Sequence, residues 1–397
     1  MKLLFICPAT VKNGMLHCPS WTKSIVTFLD ANYVFVTRHV TEPTDASVGS
    51  KTVRVYPLTK LGDLTGDVDL VVIFGTENSY SWYALQTCED KNALNKTVMF
   101  LQGISRACYE HYTDGVPEKI VNRWLFRDLL RKQNIAAEKQ AVKERAEKEE
   151  RAVMLSRYFI GRTSADRSIV ELYHPDARYF KCGDILRDCF YTGQWSADNC
   201  ERHRIFICQY YYPIKGFHFM LEAAQRLVPR YPDLKIAVSG YNPVQKSLTQ
   251  KELKDSSYIR YIKSLVKQYG LEQHIELLGE LNEEDMKREY LKAHVYVLPS
   301  TIENSPNSLA EAMMLGVPSI ASDVGGIRDL ATSPDEVLLY PSSDTAQLAQ
   351  YIDNVFSDPS LAAKLSEKGR IRARREYDIK SNIAALQDAF SQIAAQK

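Results

Sequence analysis

The sequence lacks long apolar runs and has no marked excess of charge. No stretch reaches the roughly eighteen apolar residues that a membrane-spanning helix needs, and the apolar start of the chain is too short for a signal peptide. Fifty basic residues against forty-nine acidic ones leave a net charge of +1, which argues against a chain that wraps nucleic acid. We therefore expect a cytoplasmic protein with no nucleic-acid partner, bound at most to the inner face of the cell membrane.

Cysteine is sparse, and its spacing excludes the usual zinc motifs. The eight cysteines form no CxxC pair and no cluster with histidine at zinc-like spacing. We interpret them as reduced thiols. No DxD-like acidic pair follows a predicted strand, where a metal-bound diphosphate would require one, so we expect no bound metal.

The 397 residues exceed what one hydrophobic core usually holds, so we expect two domains. Short apolar runs alternate with amphipathic stretches, which is the pattern of parallel strands joined by crossover helices. The predicted strands are 2–7, 33–37, 69–74, 97–101, 158–162, 204–209, 235–239, 275–278, 295–299 and 319–321. The sequence thus predicts two doubly wound α/β units, 1–170 and 171–377. A final helical stretch, with a break near Tyr377, should place a C-terminal helix at about 378–397 back on the first unit.

Residues 117–151 are rich in Arg, Lys, Glu and Ala and should form one or two long helices. The part at 118–132 combines basic residues with Trp124, Leu125, Phe126, Leu129 and Leu130. We favour an amphipathic helix that turns its apolar face to the core. The alternative is a helix on an anionic membrane surface, near a lipid-linked acceptor. The part at 139–151 is interpreted as a solvated charged helix.

The strongest candidate site lies in the segment that follows the strand at 295–299. A polar loop leads into a short helix that should begin near Ser308 and end at Gly316, whose missing Cβ suits a left-handed cap. The N–H groups and the dipole at that helix start can bind a diphosphate. Glu303 and Glu311 face the same crevice at different depths, where carboxylates can accept hydrogen bonds from sugar and ribose hydroxyls. For Glu311 the alternative is a capping box closed with Ser308.

This segment resembles the donor-binding signature of the retaining glycosyltransferases of family four, in which seven residues separate two glutamates. The similarity continues through Gly316-Val-Pro and Ser322-Asp-Val-Gly-Gly. It implies the GT-B fold, in which two Rossmann-like domains face a central cleft, the first binding an acceptor and the second a nucleotide sugar. It also implies that Glu303 acts in catalysis on the transferred sugar and that Glu311 holds the ribose. The donor-binding residues of this segment are then Glu303, Asn304, Ser305, Pro306, Asn307, Ser308 and Glu311.

A second candidate loop follows the strand at 204–209. It places Lys215 and Gly216 just before a helix, where a cation and N–H groups can together hold a phosphate. The loop resembles the family's Gly-Arg…Lys-Gly diphosphate clamp. By this resemblance Lys215 stabilises the departing diphosphate and belongs to the catalytic residues.

The same loop departs from the family at one point. The Gly-Arg pair of the clamp falls here on Gln209 and Tyr210, so Tyr210 stands at the donor where relatives have an arginine. Either another basic residue replaces that arginine or the diphosphate is held more weakly. Arg162 and Arg187 are candidates for the missing charge.

A third segment, 275–281, resembles the family's region around the nucleobase, where backbone groups usually read the base edge. Gly279 and Leu281 are its expected donor contacts. Side chains there do not discriminate between UDP-, GDP- and dTDP-sugars, so the nucleotide stays open.

The first half should contain the acceptor site. Asn13 and Gly14 lie where the family commonly has a glycine pair that approaches the phosphates, so they are expected donor contacts. Glu77 and Gln102 follow the third and fourth predicted strands and are expected at the acceptor. Many relatives carry a histidine at the position of Gln102, so the resemblance makes Gln102 a candidate catalytic residue. Its amide cannot titrate but can hydrogen-bond a sugar hydroxyl near the reacting centre. His111 can stand in for that histidine, or it can be an ordinary surface residue.

Three short strings in the first half, Phe-Gly-Thr-Glu, Leu-Gln-Gly-Ile and Ile-Gly-Arg-Thr, resemble bacterial enzymes that build cell-surface or capsular polysaccharides. The resemblances together imply a retaining, metal-independent glycosyltransferase that moves a sugar from a nucleotide sugar to a saccharide or lipid-linked saccharide. Two alternatives share the fold: a sugar-nucleotide epimerase, and a non-catalytic partner subunit of a glycosyltransferase. Oligomeric state, donor sugar and linkage stay open.

Overall fold

The computed structural model describes residues 1–240 and 255–396. In these residues the strands are β1 Lys2–Ile6, β2 Thr10–Lys12, β3 Met15–His17, β4 Asn32–Thr37, β5 Thr44–Val48, β6 Lys51–Pro57, β7 Leu70–Phe74, β8 Thr97–Phe100, β9 Tyr158–Gly161, β10 Arg178–Lys181, β11 Arg204–Cys208, β12 Lys235–Ser239, β13 Ile275–Gly279, β14 Val295–Leu298, β15 Ser319–Ser322 and β16 Leu338–Tyr340.

The helices are α1 Ser20–Phe28, α2 Leu61–Leu64, α3 Ser79–Asp90, α4 Ser105–Glu110, α5 Glu118–Val121, α6 Phe126–Arg131, α7 Ile135–Leu155, α8 Ser164–Tyr173, α9 Phe217–Leu227, α10 Ser257–Gln268, α11 Glu283–Lys292, α12 Asn307–Leu315, α13 Ile327–Leu330, α14 Thr345–Ser357, α15 Pro359–Glu376 and α16 Ile379–Ala394. Short 3-10 turns occur at Leu58–Lys60, Thr65–Asp67, Leu94–Lys96, Asp188–Tyr191 and Pro213–Lys215. Within the described ranges, none of these helices is both long enough and apolar enough to cross a membrane.

The chain forms two compact units, and the first comprises residues 1–106, 144–187 and 376–397. Its ten-stranded sheet has the order β10-β9-β8-β7-β1-β4-β6-β5-β3-β2. The strands from β10 to β6 are parallel neighbours, whereas β5 pairs with β6 and β2 with β3 in antiparallel fashion. Every residue of β7, Leu-Val-Val-Ile-Phe, is buried, as a parallel strand covered on both faces requires.

The alternation of side chains along β1 supplies both layers of this core. Leu3 and Phe5 join one hydrophobic cluster, which includes Phe390 from α16, while Leu4 and Ile6 join the cluster on the opposite face. Successive side chains of a strand point to opposite faces, so a fully apolar strand can serve two layers at once. Helix α16 therefore completes the core of the first unit although it comes last in the chain.

The second unit comprises residues 107–143 and 188–375. Its six-stranded sheet is parallel throughout, in the order β13-β12-β11-β14-β15-β16. Counted from its first strand, this is the doubly wound order 3-2-1-4-5-6. The strands are added toward one edge of the sheet up to the third and toward the other edge from the fourth, so the order reverses between the first and fourth strands. Ligands of such sheets bind beyond the carboxyl ends of the strands at this reversal, which here lies between β11 and β14.

The prediction of two doubly wound α/β units is confirmed, and each predicted strand agrees with an observed one to within one residue at either end. The predicted short helix is α12, with Gly316 in the left-handed region at φ 79° as its C-cap. The break near Tyr377 separates α15 from α16. Six strands were not predicted: β2, β3, β5, β6, β10 and β16.

The segment 117–151 differs from its prediction in two respects. It forms three helices, α5, α6 and α7, instead of one or two long ones. The apolar side chains of 118–132 do not face the core, since Trp124, Phe126, Leu129 and Leu130 are exposed, so the core-facing interpretation is wrong. The compact units also run differently from the predicted division near residue 170: residues 107–143 group with the second unit, and the first extends to Arg187.

Candidate active site

Two loops meet at the carboxyl edge of the second unit's sheet. One follows β11 and ends in the 3-10 turn Pro213–Lys215, and the other follows β14 and leads into α12. Gly216 lies at φ 64°, and a Cβ added there would overlap the carbonyl oxygen of Pro299. Thr301 N also donates to Ile214 O at 2.9 Å. Glycine is therefore required for the two loops to approach this closely.

Lys215 and Glu303 are joined across these two loops. Lys215 Nζ donates to Glu303 Oε1 at 2.6 Å, and Ser300 Oγ donates to the same oxygen at 2.7 Å. The two charged side chains are only 18% and 12% exposed. Burial by itself would lower the pKa of Lys215, but the charge of Glu303 outweighs it, and the pKa of Lys215 is raised above its usual value. Lys215 thus keeps its positive charge in a sheltered position.

The backbone of Glu303 is fixed by a third loop. Gly326 N donates to Glu303 O at 3.1 Å, and a Cβ on Gly325, which lies at φ 52°, would overlap that carbonyl oxygen. Ser322 Oγ donates to Ser300 O at 2.5 Å. The loop after β15 therefore supports the loop after β14. This close contact explains the glycine at 325, shortly after β15.

Helix α12 begins at Asn307, with Pro306 as its N-cap and no side-chain cap. Because Ser308 lies inside the helix, the capping-box alternative for Glu311 is wrong. Glu311 is buried, at 4% exposure, within the turn that follows the helix start. Asn307 Oδ1 is buried and meets no hydrogen-bond partner in the described part of the chain. An N-terminal turn, a buried carboxylate and an open amide oxygen thus lie at one end of α12, beside Ser305 and the buried Asn304.

Aromatic residues fill the place of the clamp's missing arginine. Tyr210 is 2% exposed and packs edge-on against Phe217 at 5.8 Å between ring centroids. Tyr212 donates to Gln209 Oε1 at 2.5 Å, and Lys215 Nζ lies 6.0 Å from the Tyr212 ring centroid. Burial raises the pKa of Tyr212 to about 12. Tyr210 is thus a core residue and brings no positive charge to the loop.

The remaining predicted residues of the second unit lie apart from this contact. Gly279 is exposed at the end of β13, at φ 70°, and its carbonyl accepts from Gly240 N at 2.9 Å; Leu281 is half-buried two residues on. His111 is exposed, and its Nδ1 lies 2.7 Å from Asp114 Oδ2. The carbonyl of His111 accepts from Thr301 Oγ1 at 2.9 Å, so the structure places His111 in the second unit, beside the loop that carries Glu303.

In the first unit, Glu77, Gln102 and Arg162 come together at the carboxyl ends of β7, β8 and β9. Arg162 donates from Nη2 to the carbonyl of Gln102 at 3.2 Å and from Nη1 to Asp184 Oδ2 at 2.7 Å. The Arg162 and Asp184 side chains are 6% and 5% exposed. Burial raises the pKa of Glu77, opposed in part by the charges of Arg162 and Arg145. Three of the predicted residues therefore form one polar cluster, and Arg162 is committed to a buried ion pair within it.

Glu149 belongs to this cluster and was missed. It is 4% exposed, accepts from Ser105 N at 2.6 Å and accepts from the Thr76 hydroxyl. Burial, reinforced by the charge of Glu77, raises the pKa of Glu149 to about 7. The solvated-helix interpretation of 139–151 is therefore wrong at this residue. The missed signal is its spacing: Glu149 lies on the buried stripe of α7 between Ala146 and Val153.

Asn13 and Gly14 form the turn of a hairpin. They join β2 to β3 with φ values of 52° and 73°, and both are exposed. Asn-Gly with two positive φ angles is the preferred two-residue hairpin connection. Turn geometry therefore accounts for this pair. Arg187 ends the segment 144–187 of the first unit.

Solved structures resemble the whole chain. Sucrose-phosphate synthase from Thermosynechococcus elongatus matches with a TM-score of 0.70 and 17% identity, covering 100% of both chains. HepE of Anabaena in complex with UDP-glucose matches with a TM-score of 0.67 and 14% identity, covering 99% of this chain and 100% of that one. The chain has the GT-B fold.

Sequence comparison finds a family that is similar to most of the second unit. Residues 199–372 match the family described as glycosyl transferases group 1. A glycosyltransferase of Escherichia coli K12, provisionally assigned to colanic acid biosynthesis, is 26% identical over 175 residues, which cover 43% of this chain and 39% of that protein. The chain thus spans less than half of the length of the curated relatives that it matches. These matches support a glycosyltransferase.

The residues matched by the family include one of the two clusters described above and not the other. Lys215, Glu303 and the start of α12 lie inside the matched domain, at the reversal of its sheet. Glu77, Gln102, Glu149 and Arg162 lie outside the matched residues, in the first unit. The family match therefore covers only the cluster of Lys215 and Glu303 in the second unit.

Proposed function

We propose that this protein is a retaining glycosyltransferase that takes a sugar from a nucleoside-diphosphate sugar. The observation that carries the proposal is the contact of 2.6 Å between Lys215 Nζ and Glu303 Oε1 at the reversal of a doubly wound sheet. A cation, a carboxylate and a helix N-terminus meet there, in the crevice where such sheets bind nucleotides. HepE of Anabaena, which has a similar fold, was solved with UDP-glucose.

Each group has a role that follows from its position. Lys215 and the first turn of α12 stabilise the negative charge that develops on the departing diphosphate. Glu303 accepts hydrogen bonds from hydroxyls of the transferred sugar and orients it for attack. Glu311 holds the ribose. The positive charge needed for departure comes from protein groups, so transfer proceeds without a metal ion; retention of the anomeric configuration rests on the resemblance to family four.

The acceptor is a saccharide or a lipid-linked saccharide, bound by the first unit. Its cluster of Glu77 and Gln102 offers hydrogen-bonding groups, which suit sugar hydroxyls. The similarity to the Escherichia coli glycosyltransferase assigned to colanic acid biosynthesis supports a role in surface polysaccharide synthesis. The eight cysteines lie in the described part of the chain and carry free thiols, which supports a cytoplasmic location.

Donor binding is tested by thermal shift with UDP, GDP and dTDP, because a ligand that binds the folded state raises its apparent stability. One nucleotide should raise the melting temperature of the wild type and have no effect on Glu303→Ala together with Lys215→Ala. Exposed Lys368→Ala, in the same unit, is the matched control and should respond like the wild type. If none of the three nucleotides shifts the wild type, the donor site is not the one proposed.

Transfer is tested with labelled nucleotide sugars and a membrane extract, with and without a chelator. Label that leaves the nucleotide and enters a saccharide or lipid fraction supports the proposal, and an unchanged rate with the chelator supports metal independence. An altered free nucleotide sugar would instead identify an epimerase. A protein that binds no donor, and whose Glu303→Ala variant has no effect in cells, would be a non-catalytic partner.

A further inference from the structure

Segment 118–132 presents a group of large apolar side chains to solvent. Trp124, Phe126, Leu129 and Leu130 are 48%, 64%, 60% and 71% exposed. The other exposed large apolar residues in the described part of the chain, from Met1 to Ile371, are separated from one another by at least a dozen residues of sequence. Contiguous apolar surface on a protein marks a binding site more often than scattered residues do.

The opposite side of the segment is polar and anchored. Asp128 is 1% exposed, and its Oδ2 accepts from Ser257 Oγ at 2.8 Å and from Leu125 N at 3.1 Å. Ser257 Oγ also lies 3.1 Å from the carbonyl of Arg123, which accepts from Asn134 Nδ2 at 3.4 Å. Helix α6 is thus held by a buried acid and turns its apolar residues outward. Buried polar contacts of this kind fix the orientation, since leaving them unpaired is costly.

Basic residues surround this apolar group. Within 118–132 the basic residues number five against two acidic ones, and they are Lys119, Arg123, Arg127, Arg131 and Lys132. Four of the five are exposed, all but Arg127. One of the two acids, Asp128, is buried, and the other is Glu118. The exposed charge of the segment is therefore strongly positive on a chain whose net charge is only +1.

We propose that segment 118–132 docks on an anionic lipid surface, with its four exposed apolar side chains inserted among the acyl chains and its exposed basic residues against the headgroups. Interfacial segments combine these two features, an apolar side and flanking Lys and Arg residues. The basic border favours an anionic bilayer over a second copy of this chain, whose corresponding surface would carry the same positive charge. The inference goes beyond the proposed function and does not depend on it.

The test is co-sedimentation of the full-length protein with vesicles of phosphatidylcholine alone and of phosphatidylcholine with phosphatidylglycerol. The wild type should sediment with the mixed vesicles and should bind vesicles of phosphatidylcholine alone only weakly. Leu129→Gln with Leu130→Gln should lower the partition coefficient at least about tenfold, because two apolar side chains are lost from the interface. Arg123→Gln, Arg131→Gln and Lys132→Gln together should lower it by on the order of a hundredfold at low salt.

Matched controls remove apolar surface and charge elsewhere. Leu172→Gln replaces a leucine that is 70% exposed, and the triple change of exposed Lys91, Lys267 and Lys380 to Gln removes the same charge; both should bind like the wild type. Equal binding by all variants, or no binding of the wild type to either vesicle, overturns the proposal. So does sedimentation velocity showing a dimer that Leu129→Gln with Leu130→Gln dissolves, since the group would then be a protein interface. The vesicle experiment contains no nucleotide, so its result does not depend on whether the protein binds a sugar-nucleotide donor.

Discussion

The two clusters at the carboxyl ends of the two sheets differ in how their charges are balanced. In the second unit one cation meets one carboxylate: Lys215 is paired with Glu303, and the pKa of Lys215 is raised by that charge against the effect of burial. In the first unit Arg162 is already paired with Asp184. The half-buried Glu77 and the buried Glu149 are further carboxyls of this cluster, and loss of hydration raises the pKa of both.

This difference suits the two clusters to different ligands. A charged lysine beside a helix start attracts a diphosphate, and the adjacent carboxylate can bind the hydroxyls of the sugar attached to it. A carboxyl with a raised pKa carries less negative charge than an ordinary carboxyl at the same pH, and it can both donate and accept hydrogen bonds when it is protonated. The charge balance therefore supports a nucleotide sugar at the second unit and a neutral polyhydroxylated acceptor at the first.

The largest expected effect comes from breaking the pair in the second unit. Lys215→Ala should lower kcat/KM for the donor by about 10²–10³-fold, because it removes the group that we propose stabilises charge on the leaving diphosphate and leaves Glu303 without its cation. Steady-state kinetics with the donor found by thermal shift measures this. Lys368→Ala should retain wild-type kinetics. If Lys215→Ala also retains wild-type kinetics, the pair of Lys215 and Glu303 is structural, and the second unit's cluster does not bind the diphosphate as proposed.

The next effect concerns the close approach of the two loops that carry this pair. Gly216→Ala should lower the free energy of unfolding by about 3 kcal/mol or more, because the Cβ adds a clash with Pro299 to the cost of a positive φ. Gly270 is the matched control: it has φ 66° and nothing within 4 Å of an added Cβ. Gly270→Ala should therefore cost only about 1–2 kcal/mol. Equal losses in urea titrations would show that the loops separate without penalty.

The second unit was largely predictable from the sequence because its signals are local. A strand, a polar loop, a helix start and a C-cap glycine follow one another between Val295 and Gly316, and the structure has each of them. The pairing of Lys215 with Glu303 joins residues far apart in sequence, but both follow strands that a doubly wound sheet places side by side. The core position of Tyr210, the strand β16 and the grouping of residues 107–143 with this unit required the structure.

The first unit was less predictable because its decisive contacts are tertiary. Spacing alone places Glu149 on the buried stripe of α7, but the contacts with Thr76 and Ser105 that make a buried carboxyl tolerable there are tertiary. The second unit has a contact of the same kind: the outward orientation of Leu129 and Leu130 depends on the anchoring of Asp128 by Ser257, more than a hundred residues away in the chain. The hairpin at Asn13 and Gly14 could have been predicted from its turn chemistry, but the family resemblance suggested a different role.

A smaller effect separates the clusters by pH. The pKa of Glu149 is raised from 4.5 to about 7, so between these values the folded protein binds more protons than the unfolded chain. Its free energy of unfolding therefore falls as pH rises through this window, by up to roughly 3 kcal/mol in all, with no contribution below it. Glu149→Gln should flatten this part of the profile and should stabilise the protein at pH 8 more than at pH 4.5.

Urea titrations across the pH range give the slope for this comparison. Glu147→Gln changes an exposed residue of the same helix and should keep the slope of the wild type. Glu77 is the acid that faces Glu149, and its own pKa should fall when position 149 is neutral. A Glu149→Gln profile that parallels the wild type would mean that the buried carboxyl is ionised throughout, and that the two clusters do not differ in charge as described.

The smallest effect is expected at His111, whose side chain is exposed while its backbone supports the loop of Glu303. The carbonyl of His111 accepts from Thr301, a contact that substitution of the side chain preserves, and the exposed pair with Asp114 contributes little. His111→Ala should therefore change the free energy of unfolding by less than about 0.5 kcal/mol. If His111 binds the acceptor, kcat/KM for the acceptor should fall about three- to tenfold, the effect of one hydrogen bond. His39→Ala, at another exposed histidine, should change neither. A His111→Ala variant with unaltered acceptor kinetics would exclude His111 from the acceptor site.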